Sequence, residues 1–236
     1  MIMLKTWKTI LLAGMLVVSL TACVNQNGGS SSSAVKTETS TNKDEKTLKE
    51  TSTSMNENTE LKSLFKESVF FGDSITEGFT FHDVLDKTNV FGEAGKTAFF
   101  ALEDNDVAKV AERNPKHLFI ALGSDDILWP TENPLQEGIQ NYGKLLDQIK
   151  EKIPQTKVTI LSVTPVTEKA LKEEPRYSNI AAYNQMLKEL ADKKQVKYVD
   201  VSSVAEQNPA LYDEDGIHFK AEFYPLLLDF LKGELK

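Results

Sequence analysis

Apolar runs that alternate with amphipathic segments constrain the fold of this chain more than any other feature. The runs lie at residues 68–71, 89–91, 116–122, 157–163 and 197–201. Most are continuous rather than alternating, which is typical of strands buried on both faces of a parallel sheet. Apolar residues recur at helical spacing in residues 133–152, 176–194 and 221–235. The pattern predicts an α/β sandwich with a mostly parallel, five-stranded sheet.

In such sheets the active site lies outside the carboxyl ends of the strands, so the residues that follow each strand are the candidates. The first run continues into Gly72-Asp73-Ser74 at the predicted start of a helix. Free backbone N–H groups and the positive end of the helix dipole favour negative charge there, which suits a nucleophile that creates an oxyanion. Taken alone, the motif also fits Asp73 or Ser74 as a simple N-cap.

A second motif precedes the last predicted helix. Asp215 and His218 are three residues apart, so the carboxylate can reach one ring nitrogen while the other accepts a proton from a serine. Alone, this segment also fits a solvated acidic loop. His117 begins a predicted strand at its amino end, and His82 lies in an aromatic patch without a carboxylate at the same spacing, so neither is favoured for chemistry.

Together and in this order, the two motifs resemble the GDSL or SGNH family of serine hydrolases over residues 68–236. The resemblance implies a flavodoxin-like, three-layer α/β/α sandwich that hydrolyses esters without a metal or cofactor. It implies Ser74 as nucleophile, His218 as base and Asp215 as the acid that orients His218. It further implies that a glycine N–H helps to bind the oxyanion; Gly95 is the better match and Gly92 the alternative.

The third block of the family departs from its pattern here. Where the family has Gly-x-Asn-Asp, with an asparagine that donates to the oxyanion, this chain has Gly123-Ser124-Asp125-Asp126. An ionised aspartate cannot donate a hydrogen bond. Three readings follow: Asp125 is kept protonated by burial beside Asp126 and donates; it binds a cationic or hydroxyl-bearing substrate; or catalysis is lost and the pocket only binds.

The amino-terminal region reads as export and tethering. Residues 1–22 have a basic start and a short apolar run, and Leu20-Thr21-Ala22-Cys23 resembles a bacterial lipobox, which implies lipidation at Cys23. An ordinary cleaved signal or an uncleaved anchor is the alternative. Residues 23–60 are rich in Ser, Thr, Asn, Lys and Glu, which predicts a disordered tether or an interaction tail. Residues 61–236 are then the hydrolase domain.

The net charge of the chain limits the classes of partner that it can bind. Without Lys5 and Lys8, the 27 Lys and Arg of the chain fall to 25 against 35 Asp and Glu, so residues 24–236 carry −10. That balance argues against nucleic acid as a partner and leaves membrane attachment to the lipid at Cys23.

Taken together, the motifs and the amino-terminal region lead us to expect an extracytoplasmic, lipid-anchored esterase that acts on acyl or acetyl esters of envelope glycans or lipids. The alternative is a non-catalytic lipoprotein that binds a glycan or acyl chain; the oligomeric state stays open.

Overall fold

The structure, a computed structural model, describes residues 59–236. The signal peptide predicted at 1–22, the lipidation site Cys23 and nearly all of the tether predicted at 23–60 lie outside the described residues. Within 59–236, no helix combines the length and apolar character needed to cross a bilayer.

Five strands form the central sheet. They are β1 (Ser68–Gly72), β2 (Val90–Gly92), β3 (His117–Ala121), β4 (Lys157–Leu161) and β5 (Lys197–Val199). Their order is β2-β1-β3-β4-β5, and every neighbouring pair is parallel. This order is that of flavodoxin-like sheets, so the predicted fold class is confirmed, with a sheet that is parallel throughout. The predicted strands at 116–122, 157–163 and 197–201 are shorter in the structure.

Helices follow the strands. They are α1 (Ser74–Phe81), α2 (Ala98–Glu103), α3 (Asp106–Glu112), α4 (Ser124–Ile127), α5 (Pro134–Lys152), α6 (Glu168–Glu173), α7 (Ile180–Lys194), α8 (Ser202–Glu206) and α9 (Phe223–Leu231). The helix predicted at 176–194 begins with the 3₁₀ turn Pro175–Asn179. The helix predicted at 221–235 is α9 followed by the 3₁₀ turn Lys232–Leu235. Residues 59–64 are also helical.

The continuous apolar strands supply two cores because successive side chains point to opposite faces of the sheet. Phe71, Leu118 and Ile120 face one core, which α2, α3, α5 and α7 complete. Phe70 and Phe119 face the other core with α1, α8 and α9. Both faces of the sheet are therefore covered, as a three-layer sandwich requires. What remains open is the edge where the strands end, and the loops after β1, β2 and β3 meet there.

Candidate active site

Ser74 lies at the first position of α1. Asp73 has extended backbone angles and accepts a hydrogen bond from the Ile75 N–H at 3.0 Å, so Asp73 is the N-cap. The capping role therefore falls to the aspartate and leaves the Ser74 hydroxyl for other contacts. Among the described residues, the Ser74 N–H has no acceptor, as expected for the first turn of a helix. Hydroxyl and free N–H thus belong to one residue at the carboxyl end of β1.

His218 is held on a short loop before α9. An isolated antiparallel bridge joins Tyr212 to Phe219 and closes this loop. Within it, one Asp215 oxygen accepts hydrogen bonds from the backbone N–H groups of Ile217 and His218, at 2.9 and 3.0 Å. The carboxylate therefore both shapes the loop and presents its second oxygen toward the His218 ring.

The two motifs meet across 144 residues of sequence. The second Asp215 oxygen lies 2.6 Å from His218 Nδ1, and His218 Nε2 lies 2.8 Å from Ser74 Oγ. With a carboxylate at Nδ1, that nitrogen carries the hydrogen, and Nε2 accepts from the serine hydroxyl. The His218 and Asp215 side chains are 41% and 45% exposed, so the arrangement is open to solvent.

Asp215 is ionised in this arrangement. Burial opposes its ionisation, but hydrogen bonds from the His218 ring and from two backbone N–H groups outweigh burial and lower the pKa of Asp215. An ionised Asp215 holds the hydrogen on His218 Nδ1 and would stabilise an imidazolium if Nε2 accepted a proton.

The two candidate oxyanion glycines differ in their surroundings. A Cβ on Gly92 would lie 2.2 Å from the Glu77 backbone nitrogen, so glycine there is explained by close packing of α1 against β2. Gly95 has φ of +77° in an exposed turn, and a Cβ there would meet no atom within 4 Å. Its N–H has no acceptor among residues 59–236. These observations favour Gly95 over Gly92 as a donor to substrate.

Three aspartates, Asp73, Asp125 and Asp126, follow β1 and β3 at the edge of the sheet where the serine lies. Asp73 accepts a hydrogen bond from Ser124 Oγ at 2.9 Å, and both Asp126 oxygens face the Ala98 N–H at 3.1 and 3.3 Å. Burial, together with neighbouring carboxylates, raises the pKa of Asp73 and of Asp126 to about 7. Burial also raises the pKa of Asp125, against the opposing charge of His218.

Asp125 itself accepts no hydrogen bond from any described residue at its carboxylate, although it is partly buried. No hydrogen bond joins it to Asp126 within residues 59–236, so the structure offers no shared proton between the two. Groups of three or more His, Cys, Asp or Glu side chains placed to hold a metal ion are absent from the same residues.

A buried lysine that the sequence reasoning missed holds the Gly95 turn. Lys96 Nζ lies 2.8 Å from Glu93 and from Asp104, and 3.0 Å from buried Asp106. Burial alone lowers the pKa of Lys96, but the three carboxylates outweigh it and raise that pKa. Glu77 accepts the Ala94 N–H at 3.2 Å on the other side of the turn. The conformation of the turn is therefore fixed by charged side chains.

The other two histidines have different positions. His82 caps the far end of α1, and its Nε2 lies 3.1 Å from the Phe219 carbonyl oxygen. It therefore supports the residue next to His218, a contact that no sequence spacing indicates. His117 begins β3 at the amino end, opposite the serine, and burial lowers its pKa.

Comparison with known families finds one match. The sequence model of the GDSL-like Lipase/Acylhydrolase family matches residues 70–226, about two thirds of the chain. A search of curated proteins finds no match.

Solved structures with the same fold include several esterases. A GDSL-like lipase from Bacteroides thetaiotaomicron is 22% identical with a TM-score of 0.58, covering 72% of this chain and 88% of its own. A lipase/acylhydrolase from Enterococcus faecalis is 19% identical with a TM-score of 0.56, covering 71% and 96%. An acetylxylan esterase from Geobacillus stearothermophilus is 16% identical with a TM-score of 0.54, covering 71% and 93%. At these identities the likeness shows the fold alone.

Proposed function

The chain belongs to the GDSL-like Lipase/Acylhydrolase family and is an ester hydrolase, and on that premise we propose that Ser74, His218 and Asp215 are its catalytic triad. The observation that carries the proposal is the unbroken hydrogen-bond chain from Ser74 Oγ through the His218 ring to Asp215, at 2.8 and 2.6 Å. Each distance lies in the range that proton transfer requires.

In the first half of the reaction, Ser74 Oγ bonds to the ester carbonyl carbon while its proton passes to His218 Nε2. The N–H groups of Ser74 and Gly95 donate to the oxygen that becomes negative. His218 then gives the proton to the leaving alcohol oxygen as the carbon–oxygen bond breaks, and an acyl-Ser74 ester remains. Asp215 stays ionised and stabilises the imidazolium throughout.

In the second half, water attacks the acyl carbon and His218 takes the proton of that water. Collapse of the second tetrahedral intermediate returns the proton to Ser74 and releases the carboxylic acid. Because the His218 and Asp215 side chains are partly exposed, water can reach the acyl-enzyme.

Asp125 takes the place of the asparagine donor, and we assign it to substrate rather than to the oxyanion. Its carboxylate has no partner among the described residues, and both Asp126 oxygens are directed to Ala98 instead of sharing a proton with it. The oxyanion is then held by two N–H groups, and a carboxylate acceptor is left for a hydroxyl of the substrate. A hydroxyl-bearing ester, such as an O-acylated glycan, fits this arrangement.

A second function follows from the same residue. A protein in which Asp125 has ended catalysis would bind a glycan or acyl chain without turnover. A fluorophosphonate probe distinguishes the two, because it forms a covalent bond only with a serine that its base activates. Labelling of the wild type that His218→Ala removes supports the hydrolase, whereas an unlabelled wild type supports the binding protein.

The decisive test replaces the nucleophile. Ser74→Ala should abolish hydrolysis of p-nitrophenyl acetate, a loss of roughly 10⁶-fold in kcat for a serine of a triad, while far-UV circular dichroism stays unchanged. Ser63→Ala, at an exposed serine far from the site, is the matched control and should keep full activity. Turnover by Ser74→Ala at the wild-type rate would refute the triad.

Export and anchoring are a separate part of the proposal. We expect removal of residues 1–22 and lipidation of Cys23, with residues 23–60 as the tether that holds the domain outside the cytoplasm. Metabolic labelling with an alkyne fatty acid should mark the wild type and should leave Cys23→Ser unmarked and released from the membrane fraction. A membrane-bound, unlabelled wild type would contradict lipidation.

A further inference from the structure

We propose that Phe99, Phe100 and Trp129 form an aromatic ledge on which a sugar ring of the substrate stacks beside the catalytic serine. The inference rests on the proposed esterase function and assigns its substrate class: an ester carried on a carbohydrate.

The ledge is a cluster of three mutually contacting rings. The Trp129 ring centroid lies 5.2 Å from that of Phe100, edge to face, and 6.2 Å from that of Phe99, at an interplanar angle of 35°. The two phenylalanine centroids are 5.7 Å apart. Phe99 and Phe100 are nevertheless 39% and 36% exposed. Apolar rings in contact with one another but open to water are typical of interaction surfaces.

The ledge lies at the same edge of the sheet as Ser74. Phe99 and Phe100 are in the first turn of α2, which follows β2, and Trp129 follows α4, which comes after β3. Because β2 and β3 are the two neighbours of β1, their ends lie about 10 Å apart with the Ser74 turn between them.

Hydrogen bonds connect the ledge to the catalytic turn. The backbone N–H of Ala98, next to Phe99, donates to the Asp126 carboxylate at 3.1 Å. The backbone N–H of Trp129 donates to the Asp126 backbone carbonyl at 3.2 Å. Ser124 in turn donates to Asp73, the neighbour of the nucleophile, at 2.9 Å. The backbone segments that carry the three rings are thus connected to the turn that carries Ser74.

The surroundings favour a sugar over an acyl chain. A flexible alkyl chain gains most from an enclosed apolar pocket, whereas these rings form an open surface. Asp125 immediately precedes Asp126 and offers a carboxylate without a partner among the described residues. Covering a carboxylate with hydrocarbon is costly, but a hydroxyl can donate to it. An apolar face together with hydroxyl groups at its edge is the chemistry of a sugar ring.

The experiment measures binding and turnover separately. Acetylated xylotetraose is titrated calorimetrically into the full chain carrying Ser74→Ala, alone and combined with Phe99→Ala, Trp129→Ala or Trp129→Leu. The matched control is Phe230→Ala, a phenylalanine of similar exposure (45%) on α9. Hydrolysis of p-nitrophenyl acetate and octanoate is measured in the same ledge and control variants with Ser74 intact.

We expect the Kd for the oligosaccharide to rise about three- to tenfold in each ledge variant, including Trp129→Leu, because leucine keeps apolar area but lacks a flat ring. Phe230→Ala should leave both the Kd for the oligosaccharide and the turnover of nitrophenyl acetate unchanged. Unchanged Kd in the ledge variants overturns the inference. Wild-type Kd in Trp129→Leu, or selective loss of octanoate turnover, also overturns it by indicating an acyl-chain surface. A wild type inactive on both nitrophenyl esters refutes the proposed catalytic triad instead.

Discussion

Replacing Asp126 by asparagine should remove part of the pH dependence of the stability of this protein. Asp126 is 2% exposed beneath the site, and its oxygens accept the Ala98 N–H that begins α2. Asparagine has nearly the same shape and keeps an oxygen acceptor for that N–H, but it cannot ionise. The substitution therefore removes one charge from the interior and little else.

The magnitude follows from the pKa of Asp126, which burial raises from 3.8 to about 7 in the folded protein. Between these values the folded state binds more protons than the unfolded chain, so rising pH destabilises the fold. The raised pKa lowers the stability of the fold by about 1.7 kcal/mol at pH 5, where the folded carboxyl is still protonated, and by about 4.3 kcal/mol at pH 8. Relative to the wild type, Asp126→Asn should therefore gain about 2.6 kcal/mol of stability between pH 5 and pH 8.

Urea denaturation of the whole protein, followed by far-UV circular dichroism at pH 5 and at pH 8, measures this difference. Comparing variant with wild type at each pH cancels the titration of groups that do not interact with Asp126, so the difference reports Asp126 together with its coupling to Asp73 and Asp125. Asp192→Asn, at an exposed position on α7, is the control and should show the same stability difference from wild type at both pH values. If Asp126→Asn behaves like that control, burial does not hold back the ionisation of Asp126 and the reasoning is wrong.

Two further substitutions test the oxyanion site. Asp125→Asn should raise kcat for p-nitrophenyl acetate about 10- to 100-fold at pH 8, because the amide donates to the oxyanion where the carboxylate cannot; a decrease would give the acid a role of its own in the chemistry. Lys96→Met should lower the free energy of unfolding by about 3 kcal/mol, at the low end for a broken buried ion pair because Lys109 still pairs with Asp106 at 2.7 Å. In assays below its melting transition it should also lower kcat about tenfold with little change in KM, because the Gly95 turn loses its support; an unchanged kcat would exclude that support.

The long elements of the fold could be predicted because their signals are strong and local. Continuous apolar runs identified every strand, and helical spacing identified α5, α7 and α9. The short helices α2, α3, α4, α6 and α8 were not predicted, because four to seven residues hold fewer than two helical turns and show no periodicity. Three predicted strands, those at 116–122, 157–163 and 197–201, ran past their observed ends because apolar residues such as Val163 and Val201 are buried in the loops that follow.

The candidate site likewise has contacts that the local sequence predicts and contacts that only the structure shows. The contact between Asp215 and His218 spans three residues and follows from local spacing. The roles of His82, Lys96 and Asp126 were missed because their partners are distant in sequence or belong to another element. The residue type of a single histidine, lysine or aspartate does not indicate which residue it contacts. Phe99 and Phe100 likewise became a candidate surface only when Trp129 was found against them.

From the sequence by itself came the strand and helix order, the reactive residue types and the local geometry of each motif, since all of these depend on neighbours along the chain. The tertiary structure decided which side chains of the separate motifs lie in contact with each other. Parallel pairing of β1 with β2 and β3 brings three loops to one edge, and the packing of α9 on the opposite face of the sheet from α5 brings His218 to Ser74. Contacts of this kind arise from burying apolar faces together, a property of the whole domain that no short segment contains.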